Sequence, residues 1–283
     1  MMKKDSLGDR MKNNYENRAK TYLVRRMPVI IRLDGKAFHT FTKRFKKPYD
    51  EIFHNAINNT MKYLCENIQG CKLGYTQSDE ITLLLIDYDT LTTEAWFNYN
   101  VQKLCSVAAS MATMAFNKFF EEFGEDYVDN MIFFDHVNDD IRVYINNLRS
   151  KYHIAMFDAR CFNIPESEVV NCFIWRQQDA TRNAIQMLGQ CHFSHKELHQ
   201  KSCNDIQDML MIQKGINFND MPVEFKRGIC CLKNQIILEP YGSRMIDKDA
   251  KVGEWVFDKE IPIFSQNREY IEDIMFTKVI NEC

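Results

Sequence analysis

The sequence predicts an α+β fold, a small antiparallel sheet crossed by helices, and three observations carry that expectation. Short β-branched runs stop at polar turns, longer stretches repeat apolar residues every three or four positions, and the two kinds alternate as strand, helix, strand, strand, helix, strand. Residues 28–33, Pro-Val-Ile-Ile-Arg-Leu, form a strand that ends at Asp34-Gly35. Ile52, Phe53, Ala56, Ile57, Met61 and Leu64 share one face of a helix over 50–67. Cys71–Tyr75 and Ile81–Ile86 flank the polar stretch 76–80 and read as a hairpin. Over 94–123, Leu104, Ala108, Met111, Ala115 and Phe119 make an apolar stripe, and small residues at 108, 109, 110 and 112 permit close packing on a sheet. Residues 125–152 read as an irregular insertion, Ile154–Phe157 as a fourth strand leading into Asp158-Ala159-Arg160, and Trp175–Leu188 as a further helix. This order is the ferredoxin-like, split βαβ arrangement, with the first and third strands as central neighbours and helices on one face.

Composition sets the outer bounds. A chain of 283 residues, 45% hydrophobic and 27% charged, can bury a sizeable core, which excludes a disordered or collagen-like protein. No run of apolar residues is long enough to span a bilayer, so no membrane partner is expected. The charged N-terminus lacks the apolar stretch of a signal peptide, and Asp5, Asp9 and Glu16 argue against a transit peptide. Ten cysteines without a CxxC pair read as reduced thiols, which points to the cytoplasm and leaves an organelle open. Residues 1–47 hold 14 Lys or Arg against 4 Asp or Glu, and Lys43-Arg44-Phe45-Lys46-Lys47 is the densest basic stretch. A local polyanion contact, RNA or a triphosphate, fits that patch, while the overall pI near 6.2 excludes general nucleic-acid coating.

The element order gives the carboxylates a place. Asp34 ends the first strand, and Asp79 and Glu80 sit at the hairpin between the second and third, so strands that are central neighbours bring them together. Clustered carboxylates raise one another's pKa unless a cation lies between them, and Mg²⁺ takes one or two carboxylates plus phosphate oxygens. Two such ions suit nucleotidyl transfer. Gly35 lets the backbone approach a ligand, and its carbonyl is a further oxygen donor. Taken singly, Asp34-Gly35 and Ser78-Asp79 are ordinary turns. Their placement at neighbouring strand ends points to a metal site. Cys191, His195, His199 and Cys203 fall four apart on a possible helix, a weak zinc spacing with no third ligand fixed.

With Arg32-Leu33-Asp34-Gly35-Lys36-Ala37-Phe38-His39 and Tyr75-Thr76-Gln77-Ser78-Asp79-Glu80, the sequence resembles the tRNA(His) guanylyltransferase family. More narrowly, it is similar to the like-protein branch of 3′–5′ RNA polymerases. The likeness continues through Lys47-Pro48 and Asp50, Trp96-Phe97 and Lys103, Phe157 to Arg160 and Trp175 to Asp179, covering roughly residues 10–240. It implies a polymerase palm with additional helices, in which residues 1–240 form the catalytic domain, 124–152 a possible insertion and 241–283 an extension packed on it. The implied enzyme is a nucleotidyltransferase that activates an RNA 5′-monophosphate with ATP and then adds a nucleotide from GTP or another nucleoside triphosphate. Asp34, Asp79 and Glu80 match the family's catalytic carboxylates, and with Gly35 they match its ligands for two Mg²⁺ ions. Gly35, Lys36, Ala37, Phe38, His39, Lys47, Ser78 and Lys103 match nucleotide-binding positions, and Lys43, Arg44, Lys46 and Arg176 are expected to face RNA. A homotetramer acting on tRNA is implied.

Two departures bear on substrate. Thr181-Arg182-Asn183-Ala184-Ile185-Gln186-Met187 replaces the His-Ile-Asn-Asn-Leu-Tyr-Asn run of the authentic guanylyltransferases, and Asn100 stands where many relatives have arginine. This favours template-dependent repair of 5′-truncated tRNA, with guanylate addition to tRNA(His) as the alternative. A nucleotide cyclase shares the layout but lacks the Arg-Leu-Asp-Gly and Trp-Arg-Gln combination. A non-catalytic RNA-binding module fits poorly with three retained carboxylates.

Overall fold

The computed structural model describes residues 6–134, 136–239 and 242–276. In chain order the elements are α1 (Leu7–Asn14), β1 (Val29–Gly35), α2 (Phe38–Phe41), α3 (Glu51–Asn67), β2 (Cys71–Gln77) and β3 (Glu80–Leu85). Then come α4 (Val101–Phe133), α5 (Asp139–Arg149), β4 (Phe157–Asn163), α6 (Glu166–His192), α7 (His195–Leu198), α8 (Cys203–Lys214) and α9 (Val223–Arg227). β5 (Ile229–Lys233), β6 (Ile236–Glu239), β7 (Gly242–Met245), β8 (Trp255–Asp258) and α10 (Glu269–Phe276) follow among the described residues. The main sheet runs β4-β1-β3-β2-β5-β8 with every neighbouring pair antiparallel, and β6 and β7 form a separate two-stranded antiparallel pair. Its first four strands are the split βαβ order, with β1 beside β3.

Strand alternation sorts the core into two layers. Val29, Ile31 and Leu33 pack with Ile57, Met61 and Leu64 of α3 and with Leu104, Ala108 and Phe116 of α4. Ile30, Leu73, Leu84 and Ile86 pack on the other side with Val169, Val170 and Phe173 of α6 and Ile271 of α10. Helices therefore cover both faces, where one covered face was expected. The second face carries its own apolar residues, and leaving them in water would forfeit their burial energy.

Three element boundaries differ from expectation for identifiable reasons. β4 starts at Phe157, not Ile154, because the preceding residues are held by α4. Asn117 Nδ2 donates to the Ala155 carbonyl at 3.0 Å, its Oδ1 accepts from the Ala155 amide at 3.1 Å, and Thr113 Oγ1 accepts from the Phe157 amide at 3.1 Å. Residues expected to be irregular beyond 124 instead continue α4 to Phe133 and form α5, which Asn138 caps through the Ile141 amide. The stretch carrying Cys191, His195, His199 and Cys203 is not one helix, because Ser194 and Ser202 each open a capping box and restart the chain. The domain boundary expected at 240–241 falls on residues outside the described ones.

Candidate active site

The chain reaches the site at the end of β1. Asp34 lies in register with Glu80 on β3 and with Asp158 on β4, so three carboxylates form a row across three strands on the α6 side of the sheet. Asp158 was not singled out by the sequence, because starting the strand at Ile154 hides its pairing. Its side chain is 60% exposed and accepts from Arg160 Nη2 at 2.9 Å. The Asp34 side chain makes no hydrogen bond or ion pair among the described residues.

Beyond Gly35 the backbone turns sharply. A Cβ at this position would sit 2.4 Å from a Phe38 ring carbon, so the close turn admits only glycine. The Gly35 amide donates to the Asp79 carbonyl at 3.1 Å and the Lys36 amide to the Met156 carbonyl at 2.8 Å. Ala37 is left-handed at φ 56°. The amides of Ala37, Phe38 and His39 donate to no protein acceptor among the described residues. Lys36 and His39 are exposed while Phe38 is buried. Phe38 anchors the turn from below, with ring centroids 5.4 Å from Phe116 and 5.1 Å from Phe157.

The β2–β3 turn brings in the second acid. Ser78 is left-handed at φ 56°, and its hydroxyl donates to Asp79 Oδ1 at 3.1 Å. Burial, with added repulsion from Asp34 and Glu80, pushes the Asp79 carboxyl up to about 6, against the opposing pull of its own backbone amide and Ser78. Asp34 and Asp79 therefore form a like-charged pair that a cation would relieve. With the Gly35 carbonyl they are an oxygen donor set that fits Mg²⁺.

Glu80 does not join that pair. Arg176 Nη1 donates to both of its oxygens at 2.9 Å, and Arg32 Nε lies 3.9 Å away. The Arg176 guanidinium stacks 3.6 Å from the centre of the Trp175 ring, with Arg32 5.3 Å from the same ring. Among the described residues no group of three or more His, Cys, Asp or Glu side chains is gathered for a metal, and Glu80 is turned toward Arg176. Arg176 was expected to face RNA. Its side chain is 8% exposed and occupied by Glu80, so α6 carries it inward.

A cavity of about 100 Å³ opens beside the turn, lined by Lys47, Tyr49, Asp50 and His54 from the α3 side, Ser78 from the hairpin, Ala184 and Met187 from α6, and Phe225 from α9. Tyr49 stacks on His54 with centroids 3.8 Å apart, and burial lowers the imidazole to about 4. Lys43, Arg44, Lys46 and Lys47 are all exposed, and the Lys46 ammonium lies over the Tyr127 and Tyr144 rings at 4.3 and 4.8 Å. Lys103 is remote from the carboxylates. It sits in the first turn of α4, roughly 15 Å along the helix from Thr113, which contacts Phe157 beside Gly35.

Comparison with known proteins places the fold. The tRNAHis guanylyltransferase (Thg1) family model matches residues 8–165. A bacterial tRNA(His) guanylyltransferase-like protein in complex with ATP superposes with a TM-score of 0.75 at 45% identity, covering 95% of this chain and 98% of that one. A bacterial tRNA(His) guanylyltransferase-like protein in complex with GTP gives 0.71 at 40% identity, covering 96% and 100%. The tRNA(His) guanylyltransferase of Saccharomyces cerevisiae is 27% identical over 214 residues, 71% of this chain and 80% of that one. A family model matching more than half of the chain, together with two bacterial structures that cover nearly all of it, settles the ancestry: the chain belongs to the tRNAHis guanylyltransferase family, and is a nucleotidyltransferase.

Proposed function

We propose that the protein adds nucleotides to the 5′ end of tRNA in the 3′–5′ direction, repairing 5′-truncated molecules by copying the opposite strand. The observation that carries this reading is the Asp34–Asp79 pair, with no cationic side chain paired to it among the described residues, beside a turn with three amides unbonded among those residues and a cavity edged by Lys47. Acid for metal, amides for phosphate and an enclosed wall for a nucleoside are the parts that nucleotidyl transfer needs.

In the first reaction the RNA 5′-monophosphate attacks the α-phosphorus of ATP, forming a 5′-adenylylated end and releasing pyrophosphate. The 3′-hydroxyl of a second nucleoside triphosphate then attacks the 5′ phosphorus and releases AMP. The amides of Ala37, Phe38 and His39 grip the triphosphate, Lys47 offsets its charge, and Ser78 shapes the turn that presents Asp79. Mg²⁺, two ions in the family's pattern, would be held by Asp34, Asp79 and the Gly35 carbonyl, lowering the pKa of the attacking hydroxyl and neutralising the leaving group. Glu80, drawn onto Arg176, fixes the sheet end that carries Asp79. In the homotetramer implied by the family, Lys103 would serve a neighbouring subunit's phosphates, since it stands far from its own.

Thr181 supports repair over guanylate addition. Where authentic guanylyltransferases carry histidine, its hydroxyl donates to the Lys226 carbonyl at 2.9 Å and ties α6 to α9. That side chain is spent on structure, and base choice is left to pairing. The nine described cysteines are all free, which suits a reducing cytoplasm. The test uses a 5′-monophosphorylated, 5′-truncated tRNA with ATP, Mg²⁺ and all four triphosphates. Changing the template base from C to A should switch the added nucleotide from G to U. Addition of G to both templates would return the chain to guanylyltransferase behaviour.

A further inference from the structure

The α4–α5 hairpin is the segment that the reaction above leaves without a role. It is closed by its own ion pair, with Arg149 Nε and Nη2 donating to the two Glu125 oxygens at 2.9 and 2.6 Å. From there it reaches back to the 43–50 loop at three points. Tyr144 Oη donates to Asp50 Oδ2 at 2.6 Å, Asn147 Nδ2 donates to the Lys43 carbonyl at 3.3 Å, and the Tyr127 and Tyr144 rings receive the Lys46 ammonium. Asp50 is 4% exposed and also accepts from the Lys46 amide at 3.0 Å and the Phe53 amide at 3.1 Å. Its carboxylate is thus shared by the loop, the start of α3 and the hairpin.

We propose that the α4–α5 hairpin braces the 43–50 loop in its nucleotide-binding form, making Tyr144, Tyr127 and Asn147 positioning residues for the triphosphate. The proposal rests on the reading of the adjoining cavity as the nucleotide site, since the same loop supplies Lys47, Tyr49 and Asp50 to its wall. A loop left free would lose its conformational entropy at each binding event, whereas a loop ordered in advance spares affinity that cost. Burial and the bond to Asp50 push the Tyr144 hydroxyl well above its ordinary range, so it remains a donor at any pH at which the protein is folded. Two aromatic faces against one ammonium hold the middle of the loop where a single surface ion pair would be weak.

The experiment compares the full chain with its Tyr144→Phe, Tyr127→Leu, Asn147→Ala and Lys47→Ala variants. It measures ATP affinity, tRNA affinity, the KM and kcat of addition, and hydrogen exchange of the loop amides. Tyr144→Phe keeps the ring and removes the donor. It should weaken ATP binding about tenfold, speed exchange at the Lys46 amide, and recover wild-type kcat at saturating ATP with tRNA affinity unchanged. A merely structural loss would lower kcat at every ATP concentration by reducing the folded fraction. Were Tyr144→Phe to misfold, Asn147→Ala poses the same question from the other end of the loop, with a smaller shift expected. ATP affinity unchanged in the three hairpin variants but weakened in Lys47→Ala would overturn the brace and leave the nucleotide reading standing. Unchanged affinity in Lys47→Ala would overturn both.

Discussion

His54 offers a measurable electrostatic signature of the cavity wall. Enclosed beneath Tyr49, its imidazole is lowered to about 4 by burial, against an ordinary value of 6.5. The native state thus binds fewer protons than the unfolded chain, so the stabilisation is full above pH 6.5 and is lost as pH falls toward 4. For a ring with those two values the loss at pH 5 is about 2 kcal/mol, and its partial contact with solvent reduces this to roughly 1–2 kcal/mol. The assay is urea unfolding of the wild type and His54→Gln at half-unit intervals from pH 7.5 to 5. Subtracting the two curves removes the carboxylates, which titrate in both. The difference should shrink steadily below pH 6.5 and reach the stated magnitude by pH 5. A difference that stays flat over that range would show that His54 takes up its proton as freely in the folded protein as in the unfolded one.

Three further outcomes follow from the site. Asp34→Asn should reduce nucleotide addition by about a thousandfold or more without lowering the melting temperature, because it removes a needed charge and a repulsion together. In the same variant the Asp79 carboxyl, followed by NMR, should titrate below its wild-type value; an unchanged titration would show that the two acids do not interact. Gly35→Ala should cost about 1–3 kcal/mol in thermal melts, since the added Cβ lies 2.4 Å from a Phe38 ring carbon, and unchanged melting would mean that the turn yields freely. Arg176→Gln should destabilise the protein by about 1–3 kcal/mol by leaving the half-buried Glu80 with only the longer Arg32 contact, which denaturant unfolding would read directly.

Strand order and the acidic strand ends were legible in the sequence because both depend on local signals. Val29 to Leu33 alternate between two packed faces, and Asp34-Gly35 and Ser78-Asp79 are turn chemistry at fixed points. Once β1 and β3 are neighbours, Asp34 and Glu80 must approach. What escaped reading depends on tertiary contacts. Arg176 looks like any basic residue on a helix until α6 is laid across the sheet and turns it toward Glu80. Lys103 resembles a phosphate ligand in its motif, yet the direction of α4 carries it to the far end of the sheet. Residues 125–152 do carry a helical stripe, Ile141, Tyr144, Ile145 and Leu148, but it spans barely two turns among acidic and asparagine residues and so is easily passed over.

A single rigid rod, α6, touches both halves of the site: Arg176 meets Glu80 near its middle, and Ala184 and Met187 wall the cavity toward its C-terminal end. Those points are linked by helical phase as well as by length. One residue inserted between Arg176 and Ala184 would turn every later side chain by about 100° and advance it about 1.5 Å, swinging Met187 off the cavity and Thr181 or its successor off the Lys226 carbonyl. Point substitutions along this stretch act one contact at a time, whereas a change of register acts on all of them together. A residue added between α4 and α5, by contrast, leaves the phase of α6 untouched.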